Sequence, residues 1–193
     1  LIGANGVGKS TLLKLLVGLN ENYTGDIQVR GIPDMGQNLV EIRKKLGYVF
    51  QDSENQLFMS TVLEDVAFGP RNYGLSESEV KKRVEDALKR MRIEHLAEKQ
   101  IYKLSGGEKK MAAIATILSM QPEVVLMDEP TIALDPKNRR NLIHILNELS
   151  QTKLIASHDL DMIYDTCDRV VLMDQGEVVA DGMAKEILTE VSD

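Results

Sequence analysis

Gly3-Ala4-Asn5-Gly6-Val7-Gly8-Lys9-Ser10 decides how the rest of this chain is read. Two glycines, a lysine and a hydroxyl residue stand at the spacing G-x-x-x-x-G-K-S. They lie between the apolar pair Leu1-Ile2 and a helical run from Lys9 to Leu19, with Leu12, Leu15, Leu16 and Leu19 on one face. Glycines let a backbone wrap closely enough for its N–H groups to point at phosphate oxygens. A helix beginning near Lys9 brings the positive end of its dipole to the same place. On this reading Gly3, Ala4, Asn5, Gly6, Val7 and Gly8 cradle a phosphate chain. Lys9 reaches the β- and γ-phosphates, Ser10 coordinates Mg2+, and Thr11 hydrogen-bonds an α-phosphate. The plainer alternative is a glycine-rich turn that merely caps a helix; the strand-then-helix context favours the cradle.

Downstream, Val124-Val125-Leu126-Met127-Asp128-Glu129 is an apolar strand ending in two carboxylates. Ligands of parallel α/β sheets gather at the carboxyl ends of strands. Asp128 is therefore expected to face the loop and hold Mg2+, and Glu129 to polarise an attacking water. An isolated Asp-Glu would usually be a solvated turn; an upstream phosphate loop removes that reading. Leu154-Ile155-Ala156-Ser157-His158 repeats the geometry, placing His158 at a neighbouring strand end near the γ-phosphate. His95 and His144 have no such context and are read as structural.

Further strands are expected at Asp26 to Arg30, Gly47 to Phe50, and Val170 to Met173 with Val178 to Ala180, the last two forming a hairpin around Gly176. Helices are expected at Thr61 to Phe68, Ser76 to Met91, Gly106 to Met120, Asn138 to Leu149 and Leu160 to Thr166. Ser76 and Glu79 have capping-box spacing. Alternating strands and helices predict an α/β fold with a mostly parallel sheet covered on both faces and an antiparallel portion. One domain over 1–193 is expected, with 1–55 and 121–193 forming the α/β core and about 56–120 an inserted helical subdomain. Leu1-Ile2-Gly3 already reads as a strand end, so strands preceding it are expected to be missing.

The 193 residues suffice for one substantial core. A formal net charge of −7, with basic residues interleaved among acids, argues against a nucleic-acid partner. Cys167 is the single cysteine, so no disulfide framework exists, and it reads as a small buried hydrophobe. No run of about 18 apolar residues is present. A membrane process would need another chain to supply the channel.

Leu104-Ser105-Gly106-Gly107-Glu108 separates this chain from other nucleotide-binding proteins. Locally it is a capped helix start with Glu108 as the capping partner. Such a start is also an anion site. Since the first loop already holds a triphosphate, a second site fits a nucleotide bound by a partner chain. The stretch resembles the signature motif of ABC ATPases. The ordered set is similar to that family over essentially the whole chain: a P-loop at Gly3 to Ser10, a Q-loop at Gln51, the signature, Asp128-Glu129, a D-loop at Ala133-Leu134-Asp135 and a switch histidine at His158.

The resemblance implies a P-loop NTPase fold and an ATPase coupled to transmembrane transport, with ATP and Mg2+ as ligands. Two subunits, identical or different, would sandwich two ATP molecules. Ser105, Gly106 and Gly107 would touch the γ-phosphate in trans, and Asp135 would lie at the dimer seam. Gln51 would sense Mg2+ and the water and link the site to an integral membrane subunit at the cytoplasmic face of the plasma membrane. Glu108 stands where Gln is commoner, Met111 where Arg is frequent, and Ile132-Ala133 where Ala-Gly is usual; none removes a catalytic group. The residue that stacks on adenine lies upstream in this family, outside the sequence.

Gln51 to Phe58 and Thr61 to Pro70 resemble the ATPases of energy-coupling-factor importers, which take up vitamins or transition metal ions. Ser157 to Asp161 and Cys167 to Val170 are similar to the metal-ion branch, so cobalt or nickel is the expected cargo and a vitamin the alternative. Leu57, Phe58 and Met59 read equally as core or as a groove for a helix of the membrane subunit.

Overall fold

The computed structural model describes residues 1–29, 31–33 and 38–190. Helix α1 spans Lys9–Leu16, the short strands β1 and β2 Gln28–Val29 and Ile32–Pro33, helix α2 Leu39–Lys45 and strand β3 Leu46–Val49. Helices α3, α4 and α5 follow at Val62–Asn72, Glu77–Arg90 and Gly106–Leu118. The chain then alternates β4 (Val124–Asp128), α6 (Pro136–Glu148), β5 (Thr152–Ala156) and α7 (Leu160–Thr166). It closes with β6 (Arg169–Asp174), β7 (Glu177–Met183) and α8 (Ala184–Glu190).

Strands β3, β4 and β5 form a parallel sheet in that order, with Val49 opposite Met127 and Asp128 opposite Ala156. The β6–β7 hairpin is antiparallel and turns at Gln175 and Gly176, both at positive φ. Leu1 to Gly3 joins the two sheets. Leu1 N donates to Ile155 O at 2.8 Å, and Ser157 N donates to Leu1 O at 3.1 Å. On the other side Ile2 N and Met173 N exchange bonds with Val171 O and Ile2 O, each at 2.9 Å. The carboxyl ends of β3, β4, β5 and the Leu1–Gly3 segment therefore point the same way.

Two apolar clusters cover the sheet. On one face Leu13, Val17, Ile42, Tyr48, Leu126 and Ala156 are buried together. On the other, Val49, Val125 and Met127 share a cluster with Val66, Met111, Ile114 and Leu142. The helices α3, α4 and α5 thus rest on the same continuous core as the sheet.

Most expected elements are present, and the differences have local causes. Helix α1 stops at Leu16 instead of Leu19 because Gly18, at φ 64°, reverses the chain. Leu19 N bonds Lys14 O and Gly18 N bonds Leu15 O, a Schellman ending that leaves Leu19 exposed. Helix α6 begins earlier than Asn138, since Asp135 caps it and Pro136 fills its first position. Ser76 caps α4 as expected, but the Glu79 carboxylate turns to Arg83 at 2.8 Å and the box is not closed. A closed capping box forms at Thr61 and Glu64. Helices α2 and α8, of seven residues each, lie outside the expected set. Arg30, the end of one expected strand, lies outside the described residues. Cys167 is only partly buried.

Candidate active site

The loop after Leu1-Ile2 cannot carry a side chain at its first turn. A Cβ on Gly3 would lie 2.3 Å from Met173 O, because this segment is wedged against β6. Gly8, at φ 106°, makes the left-handed step from which α1 starts. Lys9 is 6% exposed, and its Nζ donates to Gly3 O at 2.7 Å and Ala4 O at 3.0 Å. The ammonium therefore lies inside the curl of the loop.

Ser10 Oγ donates to Asp128 Oδ1 at 2.9 Å, tying the start of α1 to the end of β4. Tyr48 of β3 donates its hydroxyl to Asp128 Oδ2 at 3.3 Å. Burial, followed by the nearby Asp128 carboxylate, holds that hydroxyl well above the ordinary tyrosine range, so it remains a donor. Asp128 and Glu129 are buried, at 3% and 6% exposure. Glu129 has φ 48°, a conformation costing a non-glycine residue about 1–3 kcal/mol. Its N–H bonds Ala156 O at 2.8 Å, and its carboxylate meets Ser157 Oγ at 3.1 Å and His158 Nδ1 at 2.9 Å.

These groups surround a cavity of about 310 Å³ lined by Asn5, Gly6, Gly8, Lys9, Ser10, Thr11, Gln51, Glu129, Ile132 and His158. The structure thus brings together the loop, Gln51, Glu129 and His158, with Asp128 reached through Ser10. Gly3, Ala4 and Val7 shape the loop, Val7 N closing on Ala4 O at 3.4 Å.

Ser105, Gly106, Gly107 and Asp135 do not line this cavity. Ser105 and Glu108 form the expected capping box, with Ser105 N to Glu108 Oε2 at 2.7 Å and Glu108 N to Ser105 Oγ at 3.3 Å. Lys99 Nζ bonds both Glu108 oxygens at 2.9 and 3.0 Å. Burial raises the Glu108 pKa, but the Ser105 N–H and Lys99 outweigh it and hold the carboxyl below its ordinary value. Asp135 accepts from Lys137 N, Asn138 N and Asn138 Nδ2, and the Asn138 N–H leads the bonds that lower its pKa. Gly107 packs beneath Asn138: a Cβ there would lie 2.7 Å from Nδ2. Helices α5 and α6 therefore present their N-termini side by side on the surface, apart from the loop.

Three supports escaped the sequence reading. Tyr48 is one; a hydroxyl in the wholly buried strand Leu46–Val49 needed a partner. Lys110 is another. It is 3% exposed and donates to Phe50 O at 3.2 Å and Gln51 O at 2.7 Å, tying helix α5 to Gln51. Its position on the apolar stripe with Gly107 and Ile114 was the available signal. Asp159 is the third, clamped by Arg139 at 2.6 and 2.7 Å and by Thr131 Oγ1 at 3.0 Å while it caps α7. The Arg139 bond leads in lowering its pKa to about 2.

Comparison with known proteins places this geometry. Residues 1–132 match the model of the family described as ABC transporter. A putative ABC transporter ATP-binding protein of Geobacter sulfurreducens is 48% identical over 186 residues, covering 96% of this chain and 75% of its own. The energy-coupling factor transporter ATP-binding protein EcfA of Methanoculleus marisnigri is 44% identical over 192 residues, covering 97% of this chain and 69% of its own. Among solved structures, cbiO1 of Clostridium perfringens, described as part of the ABC transporter complex cbiONQ, superposes with a TM-score of 0.88 at 40% identity. That match covers 98% of this chain and 80% of cbiO1. The dimeric ATP-binding cassette MJ0796 bound to ADP and Pi gives 0.83 at 30% identity, covering 95% and 83%. With a phosphate loop, paired carboxylates and a histidine converging at the carboxyl edge of its sheet, the chain belongs to the ABC transporter family of ATP-binding proteins and is an ATPase whose hydrolysis is coupled to transport.

Proposed function

We propose that this chain is the motor subunit of an energy-coupling-factor importer for cobalt or nickel ions, working at the cytoplasmic face of the membrane. The observation that carries the motor reading is the convergence of Lys9, Ser10, Gln51, Glu129 and His158 on one cavity above Asp128. The importer type is supported by the likeness to EcfA and to cbiO1 of the cbiONQ complex.

The donor set suits Mg2+. Ser10 Oγ and the Asp128 carboxylate are hard oxygen ligands 2.9 Å apart at the cavity floor. Among the described residues no cluster of three or more His, Cys, Asp or Glu could hold a metal, so the ion would complete its shell with phosphate and water oxygens. When bound it offsets charge on the phosphate oxygens. Lys9 exchanges its carbonyl contacts for the β- and γ-phosphates, and the loop from Gly3 to Gly8 presents N–H groups. Thr11 bonds the α-phosphate. Glu129 orients the attacking water and draws on its proton, His158 steadies the γ-phosphate, and Gln51 reports the occupied state outward.

The signature completes the pocket from a second subunit. Ser105 and Gly106 are exposed, and Asp135 stands beside them, so a face-to-face pair, homodimer or heterodimer, sets each signature over the other chain's loop. The dimeric MJ0796 cassette supports this arrangement. The helical part, about residues 56–120, carries the signature, and 1–55 with 121–193 carry the loop.

The membrane subunit docks in a groove of about 400 Å³ bordered by Phe58, Met59, Ile101 and Tyr102. Leu57 is buried in the core and also lines this groove, whereas Phe58 is 64% exposed. Asp65 accepts from Phe58 N at 3.3 Å and Met59 N at 3.1 Å, holding that rim in place.

The test is reconstitution of the full-length chain with the integral membrane subunits of an energy-coupling-factor importer. ATP-driven uptake of labelled cobalt or nickel into vesicles is the expected result. Uptake of a vitamin instead would reassign the cargo, and failure to associate with any membrane subunit would remove the motor reading.

A further inference from the structure

We propose that Tyr48 is a positioning residue for the Asp128 carboxylate, fixing the rotation at which that group faces Mg2+. The role rests on the reading of Ser10 and Asp128 given above. Ser10 and Tyr48 divide the carboxylate between them: Ser10 Oγ donates to Oδ1 at 2.9 Å and Tyr48 Oη to Oδ2 at 3.3 Å. A carboxylate held by one donor can rotate about its last torsion, which is broad and shallow. Held by two donors on different oxygens, it keeps one plane.

The two donors differ in kind. Ser10 lines the cavity and belongs to the binding machinery. Tyr48 approaches from below, out of β3. Its ring is buried with Leu13, Leu126 and Ala156 and meets Phe50 edge to face, centroids 4.8 Å apart at 83°. The ring therefore cannot swing away when a ligand arrives. Phenylalanine would fill the same space, and a buried hydroxyl costs free energy unless bonded. Packing alone does not account for the hydroxyl; its bond to Asp128 does.

The experiment measures binding of a non-hydrolysable fluorescent ATP analogue to the full-length chain while Mg2+ is varied, in the wild type, Tyr48→Phe and Asp128→Asn. Without Mg2+ the wild type and Tyr48→Phe should bind the analogue similarly. For Tyr48→Phe the Mg2+ concentration giving half the affinity gain should rise about 5- to 10-fold, the scale of one ordinary hydrogen bond. Hydrolysis by this variant should recover at saturating Mg2+, a KM effect without an equal loss in kcat. Mn2+ bound in place of Mg2+ should show a changed electron paramagnetic resonance spectrum. If Asp128→Asn shifts the Mg2+ dependence and Tyr48→Phe does not, Tyr48 only packs and the proposal is overturned. If neither shifts it, the reading of Asp128 fails first and takes this one with it.

Discussion

His158 Nδ1 lies 2.9 Å from Glu129 Oε1, while Oε2 of the same carboxylate accepts the Ser157 hydroxyl at 3.1 Å and the His158 N–H at 3.4 Å. Both oxygens of Glu129 are thus engaged by the residues that follow β5. The parallel register that puts Asp128 beside Ala156 makes this unavoidable, since the next residue on each strand must then be a neighbour. Glu129 and His158 act as one unit, aimed jointly into the cavity.

Replacing Glu129 with Gln keeps the shape of the side chain and removes its negative charge. It should lower ATP hydrolysis by about 10²-fold or more, the scale of a lost general base. ATP binding should stay within a few-fold of the wild type, because the phosphate loop is untouched. Steady-state turnover beside equilibrium nucleotide binding checks both halves. Normal turnover would contradict the role given to Glu129.

Asp159 carries a pH dependence of stability. Its folded pKa is depressed from 3.8 to about 2, first by the Arg139 bond. A depressed carboxylate pKa stabilises the fold above the unfolded value, and the contribution is lost as pH falls from about 4 towards 2. Asp159→Asn should therefore melt below the wild type at pH 7, and the gap should close as pH falls through that window. A gap independent of pH would mean that the clamp on Arg139 and Thr131 contributes nothing through its charge.

The glycine and strand-end patterns made the site legible in advance, for a physical reason. Gly3, Gly8, Asp128, Glu129 and His158 sit where backbone geometry itself makes the site, and such positions tolerate few residue types. The supports were harder to see. Tyr48 lies 80 residues before Asp128, and Lys110 lies 59 after Gln51. No local period links such pairs; only the stacking of β3 on β4 and of α5 beside the Gln51 turn brings them together. The Ser76 box failed for a local reason instead, because Arg83 one turn on competed for Glu79.

Ala133 holds φ 60°, in the left-handed region that favours glycine. The usual residue here among ABC ATPases is glycine, and this chain accepts the strain instead. Ala133→Gly exchanges that strain, about 1–2 kcal/mol, for the larger unfolded-state entropy of glycine, about 0.5–1 kcal/mol. The net gain should be about 0.5–1 kcal/mol, raising the melting temperature by about 1–4 °C for a chain of this size. A thermal melt decides it; no rise would show that the loop relaxes around alanine at no cost.

Lys9 and Ser105 offer a test of how the pocket is shared between subunits. Lys9 is buried in the loop, and Ser105 is exposed on a different surface of the same chain. Lys9→Ala removes the ammonium proposed to face the phosphates and should abolish tight ATP binding. Ser105→Arg fills the exposed helix start and should block closure over a partner's nucleotide. Each variant alone has no complete pocket in a homodimer. In a mixed dimer one pocket pairs both defects, while the other pairs an intact loop with an intact signature. Mixing the two should therefore restore turnover to at most one pocket per dimer, peaking near equal amounts. Full activity from either variant alone would mean that the substituted residue takes no part in the pocket, and no recovery on mixing would mean that each chain closes its own pocket or that one pocket cannot fire by itself. Activity against mixing ratio reads this out: shared pockets that fire independently give a maximum near equal amounts, and self-contained pockets stay inactive at every ratio.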